Sequence, residues 1–259
     1  TATPREYIVY TRIGRGGFDN GVRVSNPFHT LKIEPGIVYS FKVTAVNRGG
    51  ESFPSEILAA YKSKHEKARV LIINGFDRIS SPAVINTPNP GVPYLYDISL
   101  CGSQLNFDRK EAGKRLGESS NEYEGIKIAG NTFDYPFIHG KAIQAIGGYS
   151  FTSCSDEAVE NGSVALEEYP IADYILGLEK TDDNLSRATY YKTFSSSMQR
   201  ALTAYCRSGG NLLVSGAYIG SDMNDSQGNR EFTQNILKYR FDSSLQVSGE
   251  HIGIQGLGR

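Results

Sequence analysis

The stretch from Ser197 to Asp222 constrains the fold most, because it contains a helix, a turn and a buried strand in succession. One apolar stripe at helical spacing is formed by Met198, Ala201, Leu202 and Tyr205. Gly209 and Gly210 end this helix, since glycine readily takes the left-handed conformation found at helix C-termini. The apolar run 211–215 then predicts a covered strand of a parallel sheet.

The end of this strand is where function is expected, since ligands bind outside the carboxyl ends of the strands in an open α/β sheet. The chain reads Gly216-Ala217-Tyr218-Ile219-Gly220 here. This pattern resembles the class I glutamine amidotransferase-like fold, a relative of the flavodoxin-like sheets. In that family a helix and a strand lead into a G-x-C-x-G elbow, whose cysteine is the nucleophile.

Tyr218 occupies the place of that cysteine. A neutral phenol is a poor nucleophile for acyl transfer. The family's downstream histidine in the form H-x-E is also missing, because His251 follows Glu250 and the order is reversed. The segment Gly177-Leu178-Glu179-Lys180 stands where the family has a glycine-rich oxyanion loop, and a carboxylate there would repel a developing oxyanion. The resemblance therefore implies that the chain has the fold of this family without its catalytic activity.

Composition excludes several classes of partner. With 27 basic and 28 acidic side chains the net charge is −1. The sequence has no cluster of Lys and Arg that could bind a phosphate backbone, so no nucleic-acid partner is predicted. No apolar run reaches the roughly 18 residues of a membrane helix. Residue 1 falls inside a domain pattern, so we expect any signal peptide to lie upstream.

Neither a metal nor a cofactor is predicted. The three cysteines have no metal-type spacing, and their odd number predicts at least one free thiol. His29 and His139 lack partners at metal-binding spacing. No glycine-rich nucleotide motif follows a strand.

Residues 1–63 are interpreted as a first domain of antiparallel strands. Runs 7–12 and 22–24 predict two strands around glycine-rich turns. In the run 38–47, Val38, Ser40, Lys42 and Thr44 alternate against Tyr39, Phe41, Val43 and Ala45. This alternation predicts a strand with one buried face.

The run from Glu34-Pro35-Gly36 through Tyr39 and Asn47, followed by Gly49-Gly50-Glu51-Ser52 and Pro54-Ser55-Glu56, resembles the last three strands of a fibronectin type III module. The resemblance implies that Tyr39 is the tyrosine corner, whose hydroxyl hydrogen-bonds to nearby backbone. A complete module has seven strands in about 100 residues. We therefore expect its first strands to be missing here, either because the chain is a fragment or because a partner segment supplies the edge.

Residues 67–259 are interpreted as a second, α/β domain. Runs 69–74, 149–153 and 171–178 predict further parallel strands, and run 137–146 predicts a helix with Ile138, Ala142, Ala145 and Ile146 on one side. The predicted fold is therefore a partial fibronectin-like β-sandwich followed by a three-layer, flavodoxin-like or amidotransferase-like α/β domain. Polar residues after the strands are predicted to line one ligand-binding cleft: Asp77, Ser155, Asp156, Glu157, Glu179, Tyr218, Ser221 and Asp222.

Structural roles compete with this binding role. Ser155 is expected to cap a helix that starts at Asp156, with Asp156 and Glu157 in its first turn. Ser221 and Asp222 have the same capping alternative.

The whole chain looks like an internal portion of large secreted bacterial proteins labelled xanthan lyases or N-acetylmuramoyl-L-alanine amidases. The resemblance implies an extracytoplasmic, cell-envelope setting with neighbouring domains in a longer chain. The leading hypothesis is a non-catalytic accessory segment whose cleft binds a glycan or a peptidoglycan fragment, since tyrosines stack on sugars and carboxylates accept their hydroxyls. The alternatives are a hydrolase that uses Asp156, Glu157 or Glu179 as acid and base, and a purely structural domain without a cleft.

Overall fold

The computed structural model describes residues 3–52, 54–76, 134–177, 179–181 and 192–243, together with the backbone of four short strands between residues 80 and 104. Its main feature is one mixed sheet of nine strands with helices on both faces of the parallel half. This arrangement is of the α/β type.

The antiparallel half of this sheet comprises β1 (Glu6–Ile13), β2 (Val22–Val24), β3 (Val38–Asn47), β4 (Gly50–Glu51) and β5 (Leu58–Tyr61). β1 pairs with β2 and β3, and β3 also pairs with β4 and β5. The strands predicted at 7–12, 22–24 and 38–47 are therefore confirmed. Ahead of β3, the backbone N–H of Glu34 donates to the Tyr39 hydroxyl oxygen at 3.2 Å, so the expected link from Tyr39 to nearby backbone is present.

The parallel half comprises β6 (Ala68–Asn74), β11 (Tyr149–Ser155), β12 (Ile171–Gly177) and β13 (Asn211–Gly216), in the spatial order β11-β6-β12-β13. β11 also meets β5 through the pair Phe151 and Tyr61, which joins the two halves into one sheet. The domain boundary predicted between residues 63 and 67 stays a prediction. Two ribbons lie outside this sheet: β7 (Ser80–Ser81) pairs with β10 (Ser103–Gln104), and β8 (Ala83–Asn86) pairs with β9 (Tyr94–Asp97).

Four described helices accompany the sheet: α1 (Tyr135–Ile146), α2 (Asp156–Glu160), α3 (Ser196–Arg207) and α4 (Gln227–Asn235). The apolar residues Phe232, Ile236, Leu237 and Tyr239 predict a closing helix; α4 is present there, but it ends at Asn235, before the last three of them. α1 packs on one face of the parallel strands, and α3 packs on the other. Among these helices, none combines the length and the apolar character that a bilayer crossing requires.

The predicted helix, turn and strand around residues 197–216 are confirmed. Three residues of the stripe are almost fully buried in α3: Met198, Leu202 and Tyr205. The Ser195 hydroxyl accepts a hydrogen bond from the Met198 N–H at 3.0 Å, and Gly209, with φ +96°, follows the helix end. The prediction that the strand is covered is wrong for one face, since Leu213 of β13 is 58% exposed.

α1 buries a different side from the apolar one that its sequence suggests. Ile138 and Ile146 are 53% and 73% exposed, whereas Phe137 and Gly140 are buried. A Cβ on Gly140 would lie 2.2 Å from the Phe151 ring, so the missing side chain is what lets the helix approach β11.

Arg12 ties α1 to the antiparallel half. It forms an ion pair with Asp134, immediately before α1, and its guanidinium lies 4.7 Å from the Phe137 ring centroid. Arg12 also donates to the Ser40 hydroxyl at 2.9 Å. Because α1 packs here, the face of β3 that carries Ser40 and Thr44 is buried.

Candidate functional site

The carboxyl ends of the four parallel strands lie along one edge of the sheet, at Asn74, Ser155, Gly177 and Gly216. The chain passes from β6 to β11 on one side and then to β12 on the other side, so its direction reverses between β6 and β12. In open α/β sheets such a reversal opens a crevice at the strand ends. We call this edge, including the residues that directly follow each strand, the carboxyl edge.

At the end of β6 the carboxyl edge is closed by internal contacts. Asn74 is buried and its side-chain amide donates to Glu56, which precedes β5. The Gly75 N–H donates to the Ile175 carbonyl at 2.8 Å, and a Cβ on Gly75 would lie 2.3 Å from the Tyr174 ring. Asp77, predicted to line the cleft, lies outside the described residues. The sequence places Asn74 at the end of a strand, but sequence reasoning missed its contact with Glu56, because the two residues come from separate predicted domains.

At the end of β11 the chain turns directly into α2. Ser155 occupies the N-cap position, as expected, but its side chain makes no capping hydrogen bond. Asp156 is buried, and its Oδ2 accepts a hydrogen bond from the Tyr174 hydroxyl at 3.3 Å. Glu157 is exposed. Of these acids, Asp156 is thus part of the protein interior and Glu157 lies at the rim.

Cys154 does not supply a nucleophile to this edge. Burial, together with the nearby charges of Glu56 and Asp156, raises the pKa of the Cys154 thiol to about 12. The thiolate is the reactive form of cysteine, so this thiol is inert near neutral pH. Burial also raises the pKa of Cys206, the other free cysteine of the described part.

Asp222 is the centre of a hydrogen-bonded clamp beside β12 and β13. It accepts from the backbone N–H groups of Thr181 at 3.1 Å and Thr193 at 2.9 Å, and from the Thr193 hydroxyl at 2.8 Å. The ammonium of Lys192 lies 3.6 Å from its Oδ1. Burial acts to raise the pKa of Asp222, but the hydrogen bonds from Thr193 and Thr181 and the charge of Lys192 outweigh burial and lower it.

Glu179 lies inside the same clamp. It is 2% exposed, and its backbone carbonyl accepts a hydrogen bond from the Thr193 hydroxyl at 3.0 Å. Asp222 and Thr193 therefore fix the segment 179–181 against the segment 192–193. Sequence reasoning missed Lys192 and Thr193, since neither stands out in the run Tyr191-Lys192-Thr193-Phe194.

Tyr218 stands at the bend that follows β13. The Ala217 N–H donates to the Gly177 carbonyl at 2.8 Å, and the Tyr218 carbonyl accepts from the Asp222 N–H at 3.0 Å, where a short 3-10 turn begins. Lys180 places its ammonium 4.8 Å from the centroid of the Tyr218 ring. Lys238 is the one non-glycine residue with positive φ in the described part, so Tyr218 lacks the strained backbone of a nucleophile elbow.

These contacts divide the predicted site residues into two groups. Ser155 and Asp156 lie at the end of β11, whereas Glu179, Tyr218 and Asp222 lie together at the ends of β12 and β13. Ser221 is exposed and makes no side-chain capping bond. Among the residues that the structure describes, no three His, Cys, Asp or Glu side chains are grouped closely enough to hold a metal ion.

No family model, curated protein or solved structure matches this chain. The chemistry of the carboxyl edge is therefore inferred from its own side chains. The ring of Tyr218 is only partly buried and has the ammonium of Lys180 against it, whereas the amide of Asn74 and the carboxylates of Asp156 and Glu179 are buried.

A second pair of titratable side chains lies away from this edge. The Nδ1 of His139, on α1, is 2.7 Å from the Oδ2 of Asp173, on β12. Sequence reasoning left His139 without a partner. The available signal was Asp173, the one charged residue in the apolar run 171–177.

Proposed function

We propose that this chain is an accessory segment of a secreted, cell-envelope or polysaccharide-related protein, and that its carboxyl edge is non-catalytic and binds a glycan or a peptidoglycan fragment. The proposed location is extracytoplasmic, with neighbouring domains in a longer chain. The observation that carries the proposal is Tyr218, an aromatic ring with a cation against it at the bend where the resembled family has a nucleophilic thiol.

The strand order supports the finer assignment of the parallel half. Numbered by chain position, β11-β6-β12-β13 is the order 2-1-3-4, which is that of flavodoxin-like sheets. The amidotransferase-like fold that the sequence resembles is related to these sheets. Tyr218 then corresponds to the elbow, because it follows the fourth of these strands.

Two features of the antiparallel half support the fibronectin-like assignment. The first is the bond between Glu34 and the Tyr39 hydroxyl, which has the form of a tyrosine corner. The second is the apolar face of β1 and β3, where Tyr7, Val9, Phe41 and Val43 border a cavity of about 550 Å³ that the segment 26–33 also lines. In a β-sandwich a second sheet packs against such a face. We propose that a neighbouring segment of the parent protein fills this position.

The clamp around Asp222 gives Tyr218 a fixed environment. By holding the segment 179–181, Asp222 keeps Lys180 beside the ring. An aromatic ring held in this way stacks on the apolar face of a sugar, while the ammonium donates to its hydroxyl oxygens. On this proposal Asp222 and Glu179 hold the site in place, and Tyr218 and Lys180 contact the ligand.

A binding screen with matched tyrosine variants tests the proposal. Glycans and muropeptides are screened against the wild type, Tyr218→Ala and the control Tyr169→Ala. Tyr169 also has a cation near its ring, Arg69 at 5.5 Å, but it precedes β12 and so lies at the opposite end of the sheet. We expect binding to weaken about tenfold in Tyr218→Ala, as for loss of about 1.4 kcal/mol of contact, and to persist in Tyr169→Ala.

Two results would overturn this proposal. If ligands bind Tyr218→Ala as tightly as the wild type, the bend at Tyr218 is not part of the binding site. Cleavage of a bound glycan that is lost in Asp156→Asn or Glu179→Gln would replace the accessory role with the hydrolase hypothesis.

A further inference from the structure

The His139 and Asp173 pair is built differently from an ordinary surface ion pair. The Asp173 side chain is 6% exposed and the His139 side chain is 26% exposed. Asp173 is the third residue of β12, so about 13 Å of strand separates it from Gly177 at the carboxyl edge. The pair is therefore a separate feature from the Tyr218 bend.

The contacts of Asp173 determine the state of the imidazole. Its Oδ2 lies within hydrogen-bond distance of Nδ1 of His139, and its Oδ1 is buried with no hydrogen-bond partner among the residues that the structure describes. A buried carboxylate needs a donor, so the hydrogen of the imidazole is held on Nδ1. Nε2 then carries the lone pair, on the opposite side of the ring from the carboxylate.

Exposed aliphatic side chains occur on the two elements that flank the pair. Asp173 is paired in register with Leu213 of β13, which is 58% exposed, and Ile138, next to His139 on α1, is 53% exposed. On the other side of Asp173, Ile72 of β6 is fully buried. The pair thus lies at the margin of the core, on the face of the sheet that Asp173 shares with the exposed Leu213, and such an aliphatic side chain suits an apolar substituent.

We propose that His139 is a nucleophilic catalytic residue for acyl transfer, that Asp173 is its positioning residue, and that the substrates are esters with small apolar acyl groups. The Nε2 lone pair attacks the ester carbonyl carbon, the carbon–oxygen bond to the alcohol breaks, and the leaving oxygen keeps that electron pair. Water then attacks the acyl carbon, the bond to Nε2 breaks, and the carboxylic acid forms with release of a proton. Throughout, Asp173 holds the Nδ1 hydrogen and stabilises the acylated ring.

Ester hydrolysis by the whole chain tests this assignment. p-Nitrophenyl acetate is the probe, and the variants are His139→Gln, Asp173→Asn and the control His65→Gln, in an exposed histidine of the same chain. We expect release of nitrophenolate to fall about 100-fold in His139→Gln and about tenfold or more in Asp173→Asn, and to be unchanged in His65→Gln. During turnover, peptide mass spectrometry is expected to find the acetyl group on His139.

Equal rates in the wild type and His139→Gln, or acetyl groups spread evenly over the exposed histidines, would overturn the assignment. A second measurement on the wild type does not depend on how the variants fold. Nitrogen-15 shifts of the His139 ring are expected to show a hydrogen-bearing Nδ1 and a bare Nε2 when the ring is neutral. A neutral ring with its hydrogen on Nε2 would contradict the proposal, because that nitrogen would have no lone pair for attack.

Discussion

Asp222 and Asp173 are both largely buried aspartates near β12, but their surroundings differ. Asp222 accepts three hydrogen bonds from Thr181 and Thr193 and has Lys192 beside it. Within the described part of the chain, Asp173 has His139 as its hydrogen-bond partner and a second, buried oxygen without one. The difference teaches that position after a strand does not identify a reactive carboxylate. Asp222 uses three hydrogen bonds to hold two segments of the chain together, whereas the hydrogen bond of Asp173 goes to an imidazole.

The largest expected effect follows from Asp222→Asn. The amide turns one acceptor into a donor that faces N–H and hydroxyl donors, and it leaves Lys192 with Asp225, at 2.8 Å, as its remaining carboxylate partner. We expect the free energy of unfolding to fall by about 3 kcal/mol, measured by urea denaturation. A loss below about 1 kcal/mol would show that the clamp contributes little to the fold.

Lys192→Met provides the matched control for this measurement. The Lys192 side chain is 5% exposed, so Met fills a similar buried volume without the charge. In a double-mutant cycle, we expect the two substitutions to be less destabilising together than the sum of their separate effects. Strict additivity would show that the two residues act independently.

Lowering the pH is expected to reduce the free energy of unfolding gradually, because acid protonates Asp222 and weakens the clamp. Because the pKa of Asp222 is lower in the folded chain than its ordinary value, the unfolded chain binds more protons in this range and stability rises with pH. The contribution is complete above the ordinary Asp pKa of about 3.9 and is lost as pH falls through the folded pKa. Denaturation series between neutral pH and strong acid are expected to show a shallower loss for Asp222→Asn than for the wild type.

A smaller effect on stability is expected for Asp173→Asn. The amide oxygen still accepts from Nδ1 of His139, and removal of a buried charge offsets part of the weakened bond. We expect the free energy of unfolding to change by about 1 kcal/mol or less, measured by the same urea titration. A loss as large as that of Asp222→Asn would make Asp173 a structural residue and would erase the contrast between the two aspartates.

The smallest effect is expected for Tyr218→Cys, which restores the family's residue at the bend. We expect the new thiol to react with Ellman's reagent, since Tyr218 is only partly buried. Hydrolysis of glutamine is expected to stay at background, because the Tyr218 backbone is unstrained and Glu179 occupies the predicted oxyanion loop. Glutaminase activity in this variant would show that the catalytic frame survives.

Local patterns predicted the parallel half well because its strands are short apolar runs bounded by glycine. The stripe of α3 and the following strand are in the predicted places. The prediction worked because one face of α3 is clearly apolar, so the buried side is unambiguous.

α1 shows why the same reasoning fails elsewhere. Its exposed side, with Ile138 and Ile146, is as apolar as its buried side. The buried contact depends on Gly140, because the absence of a side chain there makes room for the Phe151 ring. A glycine does not contribute to a hydrophobic pattern in the sequence. Steric fit between distant residues decides the orientation, and periodicity does not contain that information.

The candidate site shows the same limit. The sequence places Asp156, Glu179 and Asp222 after strands, but their roles depend on Tyr174, Thr193 and Lys192, which come from other segments. The hydrogen bonds that each carboxylate accepts depend on the folded chain, so they could not be predicted from the sequence around it. The position of Tyr218 at the bend was predictable, because it follows from one local strand and turn.

An NMR titration of the wild-type chain with a disaccharide muropeptide tests the central claim most directly. We expect backbone amide shifts to change mainly in residues 179–181 and 216–222, around Tyr218 and Lys180, and to saturate with added ligand. Shift changes confined to the far end of the sheet near Tyr169, or the absence of saturable changes for every muropeptide and glycan tested, would contradict the claim that the carboxyl edge is a binding site.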